Sequence, residues 1–218
     1  MRRSLATLIV AASILAGLAA GLPAAGAAQI SIAPKIGTLG VGADVGLSLG
    51  RLATIRGGYG TVPTELKADI RDVAYEARLP DVVFLGVDLH PGGGGFRISG
   101  GVLIHTDDVI LDATPDTAVE LGEGSYTPTE VGTLRGTAGT STAFPFAMIG
   151  FGHHGGRGFG VFLDLGVGFM NPALTLTHSG AGADGLAADL VLEAEELESD
   201  LRFWPIVQVG ITLGLGGG

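Results

Sequence analysis

The chain has 218 residues, room for one domain with a sizeable core or a closed barrel, and contains 39 Gly, no Cys and only 16% charged residues. Its formal charge of −10 argues against nucleic acid as a partner, because phosphate binding needs a basic face, and the lack of Cys excludes disulfides, thiol catalysis and thiolate metal sites. A mean hydropathy of +0.48 points to a membrane, yet the long apolar run that a membrane helix needs occurs only at the N-terminus.

That run begins with Arg2 and Arg3, continues from Leu5 to Leu18, and ends in small residues from Pro23 to Ala28. A positive start, an apolar middle and a small-residue exit are the parts of a secretory signal peptide, with Gly26 and Ala28, or Ala25 and Ala27, before the cut. The reading divides the chain into a signal peptide over 1–28 and one domain over 29–218. Both arginines fall in the removed piece and no acid does, so the exported domain is more acidic than the whole.

The rest of the chain alternates with period two. Leu39, Val41, Ala43, Val45 and Leu47 alternate with Gly40, Gly42, Asp44, Gly46 and Ser48. A shorter stretch from Ala53 to Gly60 sets Ile55 and Tyr59 against Arg56. Val83, Leu85, Val87 and Leu89 oppose Phe84, Gly86, Asp88 and His90, and Phe96, Ile98, Val102 and Ile104 oppose Arg97, Ser99, Gly101 and His105. Ala147, Ile149 and Phe151 oppose Phe146, Met148, Gly150 and Gly152, while Val161 to Phe169 alternate with Phe162, Asp164, Gly166, Gly168 and Met170. The last segment sets Val207, Val209, Ile211, Leu213 and Leu215 against Gln208, Gly210, Thr212 and Gly214. Strict alternation over about nine to eleven residues is the pattern of a strand that crosses a bilayer in a barrel.

A soluble sandwich alternates too, but its second face carries Lys, Glu, Thr and Ser. Here that face is mostly Gly with isolated charges, which suits a confined interior, and closure leaves no apolar strand edge exposed. The turns at Gly50-Arg51, 91–95 and 153–158 are short, whereas the stretches at about 61–74, 107–130 and 178–201 are long, the asymmetry of periplasmic turns and external loops. Seven strands are clear. An even number with a periplasmic N-terminus adds Gln29 to Ile36, so the predicted fold class is all-β, an antiparallel up-and-down membrane β-barrel of eight strands. In the last long connection Leu186, Leu190, Ala194, Leu197 and Leu201 recur at helical spacing among Asp189, Glu193, Glu195, Glu196, Glu198 and Asp200. This predicts a short acidic helix over about 185–200, docked across the barrel rim with a solvated acidic face.

Four stretches carry a resemblance: KIGTLGVGADV from Lys35, LGVDLHPGGGGFRISGGVL from Leu85, GFGVFLDLGVGF from Gly158 and RFWPIVQVGITL from Arg202. With the acidic helix before the last strand, they resemble a family of small proteobacterial outer-membrane barrel proteins, similar in architecture to the OmpA and OmpW type. The resemblance implies outer-membrane lipid and the barrel-insertion machinery as partners, and no defined activity. Such barrels usually end in an aromatic residue, where this chain has Leu215, Gly216, Gly217 and Gly218. Tyr59, Phe96, Phe151, Phe159, Phe203 and Trp204 are the candidates for interfacial girdles.

The inward face collects Asp44, Arg56, Asp88, His90, Arg97, His105 and Asp164, either a polar conduit or a self-satisfied core, with the second favoured because uncompensated buried charge is costly. The Gly-rich lumen leaves two alternatives. Phe84, Phe146, Phe162 and Met170 fill the gaps, or a slender cavity remains around Gly86, Phe146, Phe162, Gly166 and Gly168, suited to a small apolar ligand. No catalytic residues, metal site or cofactor are predicted. His153 and His154 are adjacent and diverge, His90 and His105 sit at opposite distances from their shared turn, and His178 is a lone loop residue. The glycines at 92–95 precede a strand and so form a turn, not a phosphate cradle, and no G-x-S-x-G elbow occurs. The functional expectation is a non-enzymatic outer-membrane barrel with a structural or envelope-surface role. The alternatives are a barrel that binds or passes a small apolar molecule, and a soluble periplasmic lipid-binding barrel whose apolar face lines a cavity.

Overall fold

A computed structural model describes residues 29–62, 66–70, 73–105, 107–140, 143–152 and 158–215. The predicted signal peptide over 1–28, the pair His153 and His154, and the terminal residues 216–218 lie outside the described residues. In chain order the strands are β1 (Gln29–Gly37), β2 (Gly40–Leu49), β3 (Ala53–Thr61), β4 (Leu66–Ile70), β5 (Val73–Arg78), β6 (Val82–Leu89), β7 (Phe96–His105) and β8 (Val109–Ala113). There follow β9 (Val119–Leu121), β10 (Gly124–Tyr126), helix α1 (Pro128–Val131), β11 (Leu134–Thr140), β12 (Ala143–Gly152), β13 (Gly158–Phe169), β14 (Pro172–His178), helix α2 (Leu186–Asp200) and β15 (Phe203–Leu215).

Eight of these strands close a barrel in the order β1-β15-β13-β12-β7-β6-β3-β2, every pairing antiparallel. They are the eight expected from the alternation, with Gln29–Gly37 supplying the strand that makes the number even. β1 closes the sheet on β15, with Ile30 opposite Leu215 and Lys35 opposite Gly210, so neither edge is left open. The turn between β6 and β7 is a short 3-10 turn over Pro91–Gly93, where Gly92 and Gly93 both take positive φ (78° and 66°) that a residue with a Cβ adopts only under strain. The glycine run is therefore turn chemistry, as its position before a strand predicts.

Side chains alternate across the wall as the sequence pattern requires, with the apolar set outward. Ile30, Ile32, Val87, Ile98, Phe151, Phe159, Val161, Val207, Val209 and Leu213 are all exposed on the outer surface, while the charges of the same strands are buried inside. This overturns the soluble lipid-binding alternative, which needs the apolar face to line a cavity. An apolar surface this continuous is tolerated only against another apolar phase. Two aromatic pairs mark the ends of the belt: Phe96 with Phe151 at the short-turn end and Phe169 with Phe203 at the other. Trp204, expected in a girdle, instead turns inward beside His105 and Phe144.

The long connections depart most from expectation. They are not loops. Together they fold into a cap at one end of the barrel, built on a five-stranded sheet in the order β14-β11-β8-β5-β4 and a β9-β10 hairpin. The cap has its own core: Val109, Leu111, Ala113, Val119, Leu121, Tyr126, Val131, Leu134, Ala138 and Leu174 meet Leu186, Leu190, Ala194 and Leu197 of α2. The helix thus has the predicted bounds and apolar stripe, but it docks on the cap sheet and hairpin, not across the barrel rim. Its acidic face is not wholly solvated either. Glu193 accepts from the Gly122 N–H at 3.2 Å, Asp189 accepts from the Tyr126 hydroxyl, and Glu198 accepts from the Leu174 N–H at 2.7 Å. His178, expected in a loop, ends β14.

Candidate functional site

From the short-turn end to the cap the lumen has four zones. The first is lined by hydroxyls: Thr54 lies 3.4 Å from Ser48 and 3.2 Å from the His90 Nε2, with Ser31 and Thr212 also buried. His90, predicted for the polar network, joins this zone through Thr54.

The second zone is that network. Asp44, Arg56, Asp88, Arg97 and Asp164 come together as predicted, with Lys35 as a member the sequence reading missed. The Arg56 Nη1 donates to the Asp164 Oδ2 at 2.8 Å, and the Arg97 Nη2 donates to the Asp164 Oδ1 at 2.6 Å. Lys35 pairs with Asp44 at 2.6 Å, Arg56 reaches Asp44 at 3.5 Å and Asp88 at 3.3 Å, and Arg97 lies 3.8 Å from Asp88. The Arg97 Nη1 also donates to the Gly152 carbonyl at 2.6 Å. These three cations and three carboxylates are all buried, so the cluster is neutral as a unit and each charge has a partner of opposite sign. Aromatic faces enclose it: the Lys35 Nζ lies 4.1 Å and the Arg56 guanidinium 5.0 Å from the Phe84 centroid, and the Arg97 guanidinium 5.5 Å from that of Phe162. Lys35 was legible in principle. It shares the inward parity of Ser31 and Ala33 on β1.

The third zone is apolar. Leu39, Val82, Phe84, Leu103, Phe144, Phe146, Met148, Met170 and Ile206 pack as one buried cluster on the cap side of the ions. The fourth is aromatic. His105 meets Phe144 at 4.8 Å and Trp204 at 5.1 Å between ring centroids, far from His90. Trp204 touches both the lumen cluster and the cap core, and so joins them.

The lumen glycines are seats for large side chains. A Cβ at Gly86 would lie 2.8 Å from the Phe146 ring, one at Gly168 2.6 Å from the Phe144 ring, and one at Gly210 2.5 Å from the Phe162 ring. At Gly166 it would meet the Ala147 carbonyl at 2.3 Å and the Met148 side chain at 2.3 Å. At Gly150 it would strike both Arg97 and Asp164 at 2.5 Å. Of the two alternatives for Gly86, Phe146, Phe162, Gly166 and Gly168, this is the geometry of filled gaps. The interior of an eight-stranded barrel is barely wider than its side chains, and glycine on one strand makes room for Phe, Met or Arg on another.

Among the described residues no group of three or more His, Asp or Glu side chains is placed to hold a metal ion. Outside the spanning strands, the Tyr126 hydroxyl is pushed up to about 12 by its hydrogen bond to Asp189, reinforced by burial. The hydrogen bonds from Arg135 hold the Asp112 carboxyl below the usual carboxylate range.

No family model matches the chain, and no curated protein matches it. Solved structures do. CarO of Acinetobacter baumannii superposes with a TM-score of 0.64 at 17% identity, over 85% of this chain and 97% of CarO. CarO2 of Acinetobacter baumannii superposes with a TM-score of 0.66 at 17% identity, over 87% of this chain and all of that one. At that identity the likeness is one of fold: barrel and cap together match an existing architecture.

Proposed function

We propose that this chain is an integral outer-membrane β-barrel with a structural or envelope-surface role, which carries a folded cap outside the membrane and conducts no solute through its lumen. One observation carries the reading: the barrel is inside-out, with a continuous apolar outer belt around a neutral, fully buried network of three cations and three carboxylates. The belt needs lipid. The network and the apolar cluster above it leave an ion no hydrated path, because an apolar constriction expels water. The start of β1, the end of β15 and the turns at Gly50 and Pro91–Gly93 then lie on the periplasmic side and the cap outside, the usual asymmetry of these barrels.

The reading includes export by a cleaved signal peptide, assembly by the barrel-insertion machinery, and an architectural kinship with the small OmpA- and OmpW-type barrels. It assigns no enzymatic activity, cofactor or nucleic-acid partner. Fractionation with heat-modifiable gel mobility tests the membrane assignment, and planar-bilayer recording of the refolded chain tests the sealed lumen. Outer-membrane recovery with a heat-shifted band and a silent bilayer is expected. Recovery in the soluble periplasmic fraction without detergent overturns the membrane reading. Discrete unitary currents overturn the sealed lumen in favour of solute passage.

A further inference from the structure

A groove of about 630 Å³ runs between β14 and α2 in the cap. We propose that it takes an extended, basic segment of another protein, which pairs with β14 as an added strand. The proposal deepens the envelope-surface reading above and rests on it for one point, that the cap meets its partners outside the membrane.

The groove exists because the chain changes structure there. The β12-β13 hairpin of the barrel continues into the cap as β11 paired with β14. Within the barrel the far edge of β13 is covered by β15, but in the cap the chain that leads into β15 is the helix α2. β14 is therefore an edge of the five-stranded sheet. Residues 174–178, of both parities, line the groove, so it opens on the backbone of the strand and not on one of its faces. The Leu174 N–H leaves the sheet and donates to Glu198 at 2.7 Å. Alternate residues of a strand aim their backbone groups the same way, so the Leu176 N–H and the Leu174 and Leu176 carbonyls also point into the groove. Such an edge is a template for another strand. Both ends of the groove are fixed. Glu198 ties α2 to Leu174 at one, and at the other the N–H groups of Gly180, Ala181 and Gly182 donate to carbonyls of residues 129–131.

The lining indicates the partner. Ala187, Val191 and Ala194 form an apolar stripe of α2, and the charged side chains in the lining are Glu195 and Glu198, both acids. Arg135, opposite Thr177 in the sheet, is held by Asp112 at 2.7 and 3.1 Å. A strand that carries a basic and an apolar residue two positions apart meets both features with one face. A second copy pairing β14 on β14 would bring a second acidic helix with it, and like charges oppose that.

The full chain is refolded into phosphatidylcholine vesicles, insertion is scored by heat-modifiable mobility, and the vesicles are titrated into a dye-labelled, end-blocked peptide, Lys-Thr-Lys-Thr-Val-Thr-Val. Fluorescence anisotropy should show saturable binding, about tenfold weaker when Glu replaces both Lys. Methylating the backbone nitrogens of one alternate set of peptide residues removes the donors that face β14, and should weaken binding about tenfold more than methylating the other set. Leu176→Pro removes a donor at the open edge, where a strand tolerates Pro, and should weaken binding about tenfold. Ala187→Trp, at an exposed helix position, fills the groove and should do the same if the first variant does not fold. An inserted chain that does not bind the peptide, or binds both methylated sets equally, overturns the proposal, as does undiminished binding by a folded Ala187→Trp chain. A dimer in vesicles that Leu176→Pro dissolves overturns the foreign partner in favour of a second copy. A chain with no heat-shifted band instead overturns the membrane reading, so the two failures are distinguishable.

Discussion

Replacing Asp164 with Asn keeps the side-chain volume and removes one charge from the centre of the lumen. Asp164 makes the shortest contacts with both guanidinium groups, accepting from Arg56 at 2.8 Å and from Arg97 at 2.6 Å with no solvent exposure. A hydrogen bond to a charged group contributes about 1.5–3 kcal/mol, and removing one partner of a buried pair costs about 3–5 kcal/mol because the other charge stays buried. Asp164→Asn leaves three cations facing two carboxylates, so its expected cost is about 3–5 kcal/mol. The double variant Asp164→Asn with Arg97→Gln restores neutrality. It should be more stable than the sum of the single effects by about 1.5 kcal/mol or more. Urea titration in phospholipid vesicles, followed by heat-modifiable mobility and Trp204 fluorescence, measures both quantities. A cost below about 1 kcal/mol, the range of a weak surface ion pair, would refute a dry and mutually dependent network. So would additivity of the two substitutions.

Gly150→Ala is expected to destabilise the barrel by about 1–3 kcal/mol, since its methyl would press on both Arg97 and Asp164, and the same urea titration checks it. Leu197→Ala removes a buried side chain from the cap core and should cost the cap about 2–5 kcal/mol. Limited proteolysis of that variant should cut the cap while the heat-shifted barrel band persists, and simultaneous loss of the band would show one cooperative unit. The Tyr126 hydroxyl, raised to about 12 by Asp189, makes the cap's contact with α2 pH-dependent at the alkaline end. Because the folded value lies above the unfolded one, this stabilisation is complete below about pH 10 and lost as pH rises towards 12. Tyrosinate absorbance should show that group ionising late in the unaltered chain and near pH 10 in Asp189→Asn. Identical titrations would disprove the contact.

Period-two alternation carried seven of the barrel strands, because a wall between lipid and lumen imposes opposite chemistry on successive residues, and the even strand number of such barrels supplied the eighth, β1. Five members of the ionic network followed from the same parity, and the bounds of α2 followed from the three- and four-residue spacing of its apolar residues. The cap strands were harder. Leu134, Gly136 and Ala138 against Arg135 and Thr137, and Leu174 and Leu176 against Ala173, Thr175 and Thr177, do alternate. They do so over only five to seven residues, too short to span a bilayer.

Sequence by itself determined which residues face in and which face out, since that is a property of neighbours along one strand. It also set the excess of small residues inside. Which glycine seats which aromatic, and which carboxylate meets which arginine, depends on the stagger between strands as the sheet closes. Phe146 lies against Gly86, 60 positions earlier, and Asp164 against Arg56, 108 positions earlier. Only closure fixes that stagger, whereas Lys35 meets Asp44 across the β1-β2 hairpin and through it joins the shared network. The inward turn of Trp204 was likewise decided in three dimensions. The cap core supplies a surface that the rim of a bare barrel lacks, and the indole is better buried between two cores than left at the membrane interface.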